Sequence, residues 1–228
     1  MEKNLVYLPY GRGTLTFEIT GNPAQYQLIQ PKNELSQVRY SNKAVRKALT
    51  SPIRVENPWA GVGEETTVAI TVNDKTRPVP NTTLLPPLLE VLQTKGVKKE
   101  NITIYIASGT HIPMDKGEFP LVLGDEIPQQ FSVIPHNCDD EYNLCEIGVT
   151  FRKTPVYVNR GFYKCDLKIV VGDIEPHHFA GYSGGVKSAA IGLAGRKTIN
   201  TNHKLLLDEN SVIGCFQQNP LRQDIEEI

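Results

Sequence analysis

The sequence predicts an α/β fold, a doubly wound and mostly parallel sheet with helices on both faces. Three observations carry that expectation. Several short runs are almost continuously apolar and β-branched, as strands covered on both faces must be. Segments of helical period alternate with them, and Gly (18) and Pro (16) fall at intervals between them, with no linker-like tract and no internal repeat.

Taken in order, Leu5 to Leu8 and Thr14 to Ile19 are strand-like patches, and Asn42 to Leu49 reads as a short helix. Thr67 to Val72 is a β-branched run suited to a buried strand. Leucines at 84, 85, 88, 89 and 92 then recur with helical period across Thr82 to Thr94. Ile102 to Ala107 follows as a strand, Lys116 to Gly124 as a short helix, and Phe131 to Ile134 as another strand. Leu167 to Val171 is a further apolar strand. It precedes a glycine-rich turn and two helices, Val186 to Ala194 and Asn200 to Leu207, the second opening after capping side chains at Thr198 to Thr201. Asn219-Pro220 begins one more helix whose pattern stops without a C-cap signal, so a domain cut from a longer protein is expected.

Composition narrows the function. The 228 residues are 39% hydrophobic and 21% charged, enough to bury a core. Lys plus Arg is 24 against 25 for Asp plus Glu, which leaves no general positive field for nucleic acid or anionic lipid. Apolar runs are far shorter than the roughly 20 residues of a membrane span. Met1-Glu2-Lys3-Asn4 leads into no signal-peptide core, so a cytoplasmic protein is expected. Cys138, Cys145, Cys165 and Cys215 form no C-x-x-C pair and read as core or loop residues.

The chemistry collects where strands end. Thr67 to Val72 runs into Asn73-Asp74-Lys75-Thr76-Arg77-Pro78-Val79-Pro80, Ile102 to Ala107 into Ser108-Gly109-Thr110-His111, and Leu167 to Val171 into Gly172-Asp173-Ile174-Glu175-Pro176-His177-His178. If these strands are parallel neighbours, Asp74, Arg77, His111 and His177 meet on one rim, where ligands of such sheets bind. Each alone is more often a surface or loop residue. Together they combine two imidazoles that titrate near neutrality, a guanidinium fork for a carboxylate or phosphate, and a carboxylate to orient one of the cations. His136, just beyond Phe131 to Ile134, reads as a loop residue.

Gly181-Tyr182-Ser183-Gly184-Gly185-Val186-Lys187-Ser188 opens a helix and suits an anion cradle. It nearly matches a nucleotide P-loop, but Val186 stands where that pattern needs Gly. Two readings therefore stay open: a nucleotide-hydrolysing enzyme, or a non-catalytic nucleotide-binding module. Burial would lower the pKa of Lys187 and make it a nucleophile or attachment point. His203 lacks any H-x-x-H or H-x-x-x-H partner, so a metal there would need donors from outside the protein.

Asp74 to Pro80, Ser108 to His111, Pro176 to Lys187 and Ala194 to His203 together resemble the N-terminal domain of the nickel-dependent lactate racemase family, in order and with matching spacing. The resemblance covers most of the chain from about Thr67 onward. It implies an α/β enzyme of two lobes, of which residues 1–228 are the N-terminal, cofactor-binding one, with the C-terminal domain of the same polypeptide as its partner. It implies a nickel pincer nucleotide, the nickel complex of pyridinium-3,5-bisthiocarboxylic acid mononucleotide. Lys187 would attach this group through a thioamide and His203 would ligate its metal. Gly181, Ser183, Gly184 and Gly185 would receive the nucleotide phosphate. His111 and His177 would be paired acid/base residues acting on a small 2-hydroxy acid, with Arg77 and Asp74 binding or supporting the substrate. Ala190-Ile191-Gly192 departs from the Leu-Pro-Gly of many members, which bears on substrate identity.

Overall fold

A computed structural model of the chain describes residues 4–11, 13–20, 27 and 41–228; Met1, Glu2 and Lys3, on which the reading of no signal peptide rests in part, lie outside them. The chain divides into two units, Met1–Arg39 and Tyr40–Ile228. In the first, β1 (Asn4–Tyr10) and β2 (Gly13–Ile19) form an antiparallel hairpin that pairs Val6 with Phe17 and Leu8 with Leu15. These are the two strand-like patches of the sequence.

The second unit begins with α1 (Ser41–Thr50), β3 (Val68–Asn73), α2 (Asn81–Thr94) and β4 (Ile102–Ala107), each within two residues of its expected bounds. The short helices α3 (Pro120–Leu123) and α4 (Ile127–Gln130), β5 (Ser132–Pro135), and the strands β6 (Leu144–Val149) and β7 (Pro155–Asn159) follow. Then come α5 (Arg160–Lys164), β8 (Leu167–Val170), the two-residue strands β9 (Pro176–His177) and β10 (Gly181–Tyr182), α6 (Val186–Ala190), α7 (Arg196–His203) and α8 (Pro220–Glu227).

Four strands form one parallel sheet in the order β5-β4-β3-β8. Val68 lies opposite both Ile102 and Leu167, so three strands start level and release their carboxyl ends on one rim. The chain builds outward from β3 through β4 to β5, then returns to the far side of β3 with β8. That reversal opens a crevice beyond β3 and β8.

Alternation along the strands sorts the two faces. Val68, Ile70 and Val72 join Ile102, Ile104 and Ile106 on one face, packed against Leu85, Leu88, Leu89 and Leu92 of α2. Burial of each such side chain contributes about 1.5–3 kcal/mol, which outweighs the disruption caused by Pro86 and Pro87 inside that helix. On the other face Ala69 and Tyr105 pack against Leu193, with Phe162 beside them. Both faces are therefore covered.

Three local outcomes differ from expectation. The β6–β7 hairpin has no counterpart among the expected elements, because a register shift between Glu146 and Gly148 breaks the alternation by which strands are recognised. Helix α6 ends at Ala190 rather than Ala194, and Gly192 packs where a Cβ would lie 2.2 Å from the Ser188 carbonyl oxygen and 2.6 Å from Cβ of Ala107. Helix α7 starts at Arg196, before Thr198 to Thr201. The Thr198 hydroxyl lies inside it and donates to the Pro155 carbonyl at 2.7 Å, which docks the helix on β7 instead of capping it.

Candidate functional site

A cavity of about 270 Å³ lies on the rim, lined by the exits of β3 and β4, the β9–β10 hairpin, α6 and α7. Asp74, Arg77, His111, His177, Ser183, Gly184, Lys187 and His203 all line it. Gly181 and Gly185 belong to the same turn but are not among the lining residues.

Asp74 is buried immediately after β3. Its Oδ1 accepts the Thr76 amide at 3.0 Å and the Thr76 hydroxyl at 2.6 Å, which closes the turn, while its Oδ2 lies 2.7 Å from Nδ1 of His111. Burial pushes the Asp74 carboxyl up, but the hydrogen bonds from Thr76 and His111 outweigh it and hold the group below its ordinary pKa. His111 itself is carried by a turn in which its amide donates to the Ser108 carbonyl at 2.9 Å, and Gly109 N–H donates to the Gly192 carbonyl at 3.0 Å. Asp74 therefore serves as the orienting carboxylate for one histidine.

Arg77 follows three residues later, its amide bonded to the Asp74 carbonyl and its guanidinium 3.0 Å from Glu175. Both side chains of that pair are about a third or more exposed, so it contributes little stability, of order 0–1 kcal/mol. Nη1 meets Glu175, and the guanidinium has further N–H donors with which to meet a ligand.

His177 is buried, and its Nδ1 accepts the Ala180 amide at 3.3 Å, which leaves the proton of the neutral ring on Nε2. Burial, then the charges of Lys187 and Arg77 and the neighbouring His178 and His203, lower its pKa to about 4. The Phe179 ring stands edge-on to His177 at 4.6 Å and to His203 at 5.3 Å, separating the two imidazoles with an apolar wedge.

Lys187 lies in the first turn of α6, and its amine makes no hydrogen bond or ion pair among the described residues. Burial, followed by the charges of Arg77 and Arg222, lowers its pKa to about 8, against a smaller opposing pull from Asp173 and Glu175. Roughly a tenth of the amine is then unprotonated at neutral pH, far more than for an ordinary lysine.

His203 ends α7 with its Nδ1 buried and without a hydrogen-bond partner; burial, then the charge of Lys187, holds its pKa below the ordinary imidazole value against a smaller opposing pull from the Ile199 carbonyl one turn back. Among the described residues no three His, Cys, Asp or Glu side chains are grouped to hold a metal ion. A metal at His203 would have to bring other donors with it, and an unpaired amine lining the same cavity is a point at which such a group can be fastened.

The glycine turn is built by close approach. A Cβ on Gly184 (φ +72°) would lie 2.0 Å from the Asp173 carbonyl oxygen, and one on Gly181 (φ +74°) 1.9 Å from that of Cys215. The Ser183 hydroxyl accepts the Glu175 amide at 3.1 Å and lies 3.3 Å from the Asp173 carbonyl. Asn73, Thr76, Phe179 and Ser188 are among the lining residues to which the sequence reading gives no role. Asn73 accepts the Ser188 hydroxyl at 3.1 Å and donates to Asp173 at 3.3 Å, tying α6 to the ends of β3 and β8. Its position next to Asp74 is the available signal. His136, by contrast, is a buried loop residue, with Nε2 2.9 Å from the Ala194 carbonyl.

Residues 10–214 match the family model described as the lactate racemase N-terminal domain. The chain belongs to that family. Among curated relatives it is 29% identical over 223 residues to the lactate racemase of Thermoanaerobacterium thermosaccharolyticum, a match covering 96% of this chain and 52% of the relative. It is 28% identical over 220 residues to the lactate racemase of Lactiplantibacillus plantarum, with the same two coverages. Among solved structures, the lactate racemase apoprotein from T. thermosaccharolyticum superposes with a TM-score of 0.82 at 28% identity, over 98% of this chain and 52% of that one. A Thermotoga maritima protein superposes at 0.67 with 23% identity, over 81% of this chain and 46% of that one, a likeness of fold alone. The chain thus spans about half the length of the curated relatives it matches. No helix among its described residues is long and apolar enough to cross a membrane.

Proposed function

We propose that this chain is the cofactor-binding lobe of a racemase or epimerase of small 2-hydroxy acids. Family membership and the convergence of Arg77, His111, His177, Lys187 and His203 on one cavity support the reading. The residues present fit a nickel pincer nucleotide: Lys187 would hold it through a thioamide, His203 would ligate the nickel, and amides of the turn around Gly184 would meet its phosphate. When bound, that group supplies a reversible acceptor for the hydride of the substrate's C2.

The chain's own residues supply orientation and proton handling. Arg77 would hold the substrate carboxylate through guanidinium donors not facing Glu175. Asp74 accepts from Nδ1 of His111, which leaves Nε2 of that ring with its lone pair and suits it to take the hydroxyl proton. The imidazolium so formed is stabilised by the same carboxylate. His177, with its proton on Nε2, is set to donate a hydrogen bond from the other side. Inversion would require the planar 2-oxo acid to turn between the two imidazoles so that C2 regains its hydrogen on the opposite face, one imidazole serving the oxygen in each orientation.

The remaining half of a relative-length polypeptide would close the cavity as the C-terminal domain. A cytoplasmic setting suits the four cysteines, all free. The observation that carries the proposal is the placement of an unpaired lysine and a histidine with an unsatisfied nitrogen in the lining of one cavity. The test is racemisation of D- and L-lactate and of longer 2-hydroxy acids by cofactor-loaded whole protein. Activity should fall about 10²–10⁴-fold in His111→Ala and in His177→Ala, as for loss of a general acid or base. Unchanged rates in both variants would refute the assignment.

A further inference from the structure

We infer that Lys187, when it carries no prosthetic group, condenses with a small 2-oxo acid whose carboxylate is held by Arg77, forming an imine in the cavity. The inference rests on the carboxylate-binding role proposed for Arg77, and on neither nickel nor the nucleotide. Its basis is geometric. An amine without a hydrogen bond or ion pair among the described residues, a guanidinium with N–H donors beyond the one on Glu175, and two imidazoles line a single cavity of about 270 Å³. That volume suits a molecule of a few heavy atoms. The lowered pKa of Lys187, about 8, supports the same conclusion, because only the neutral amine attacks a carbonyl.

The reaction balances without an oxidant or reductant. The Nζ lone pair adds to the C2 carbonyl carbon, and the amine proton passes through a cavity base to the carbonyl oxygen, giving a carbinolamine. Protonation of that hydroxyl then expels water, and loss of the second nitrogen proton leaves the C=N bond. His111, backed by Asp74, is placed to carry protons in both directions. A 2-oxo acid is preferred over a neutral ketone because its carboxylate gives Arg77 a bidentate partner. The adduct would compete with attachment of the prosthetic group at the same nitrogen.

The test uses the chain purified from a host lacking the cofactor's biosynthetic enzymes. It is incubated with pyruvate, or with hydroxyacetone as a neutral ketone of similar size, in the presence of cyanoborohydride, and modified lysines are mapped by peptide mass spectrometry. The expected result is labelling centred on Lys187, with pyruvate preferred over hydroxyacetone by about tenfold or more, the discrimination one charge-assisted bidentate pair supplies. Arg77→Gln removes that preference. Because the change also alters the amine's charge environment, it is the ratio of the two ketones that is read and not the absolute rate. Lys187→Arg loses the modified peptide, while the ratio in the unmodified protein needs no variant to fold. Labelling spread over surface lysines, or no preference for pyruvate at Lys187, would overturn the inference. Imine formation in a protein that never racemises when loaded would defeat the proposed function alone; racemisation without imine formation would defeat only this inference.

Discussion

Two polar clusters, one buried and one lining the rim cavity, share helix α7, and adjacent residues serve them. Asn202 serves one: its amide donates to Asp224 at 2.8 Å and to the Leu221 carbonyl at 3.2 Å, and Asp224 also accepts the hydroxyls of Thr150 at 2.5 Å and Thr154 at 2.8 Å. His203 serves the other, where its Nδ1 and the Lys187 amine have no such partner among the described residues. One carboxylate with zero exposure is satisfied by three donors; the rim cavity keeps cations and an imidazole nitrogen in reserve. Native proteins pair most buried polar groups; the first cluster leaves the Asn202 Oδ1 without a partner among the described residues, but its carboxylate is met, whereas the second leaves several convergent groups open on one cavity. The first cluster fastens α8 and α7 to the β6–β7 hairpin, and the second is what that fastening presents to a ligand.

The contrast breaks most sharply at Lys187. In cofactor-loaded whole protein, Lys187→Ala should lower racemisation by about 10⁴-fold or more, since attachment is lost along with the chemistry it positions. Thermal melting of the same variant should hold steady or rise, because an unpaired, half-buried cation is removed. A large drop in melting temperature would mark Lys187 as structural. Asp224→Ala should do the reverse. Leaving the Thr150, Thr154 and Asn202 donors unpaired costs about 3 kcal/mol in denaturant unfolding, and an unchanged midpoint would show that the cluster does not hold α8.

Smaller and pH-dependent is the effect of His177. Its folded pKa of about 4 lies below the ordinary 6.5, so the unfolded chain takes up the proton first. Stability therefore falls as pH drops from about 6.5 towards 4, by about 2 kcal/mol once the open cavity mouth is allowed for. Melting curves of His177→Gln should lose its share of that slope, keeping the shares of His136 and His203, whose pKa values burial also lowers, and the acid-side loss due to Asp74, whose lowered pKa makes its contribution disappear only as pH falls through that folded value. An identical slope in the variant would place the titration elsewhere. The smallest effect belongs to Glu175→Gln, which breaks the ion pair with Arg77 at a cost below about 1 kcal/mol, measurable only in denaturant titrations at low salt.

Much of the parallel sheet is legible in the sequence because β3 and β4 are buried on both faces and read as unbroken β-branched runs, and because α2 carries its leucines at helical spacing. The site is legible for a related reason: parallel strands deliver their exits to one rim, so Asp74, Arg77, His111 and His177 can be brought together without knowing any distance. What stays hidden depends on contacts distant in sequence. Asp224 meets Thr150 across 74 positions, and nothing in Leu221 to Ile228 announces it. The role of Asp74 as partner to His111, the diversion of one guanidinium donor of Arg77 to Glu175, and the early end of α6 above Ala107 are likewise tertiary facts. So is the hairpin bulge at Gly148.

The central claim is that Lys187 and His203 together hold a nickel-bearing nucleotide. Native mass spectrometry of whole protein co-produced with the cofactor's biosynthetic enzymes tests it directly. The account predicts one covalent adduct mapping to Lys187 with one nickel per chain, the adduct lost in Lys187→Arg and the metal alone lost or weakened in His203→Ala. Unmodified Lys187 and no nickel under those conditions, in folded protein, would contradict it.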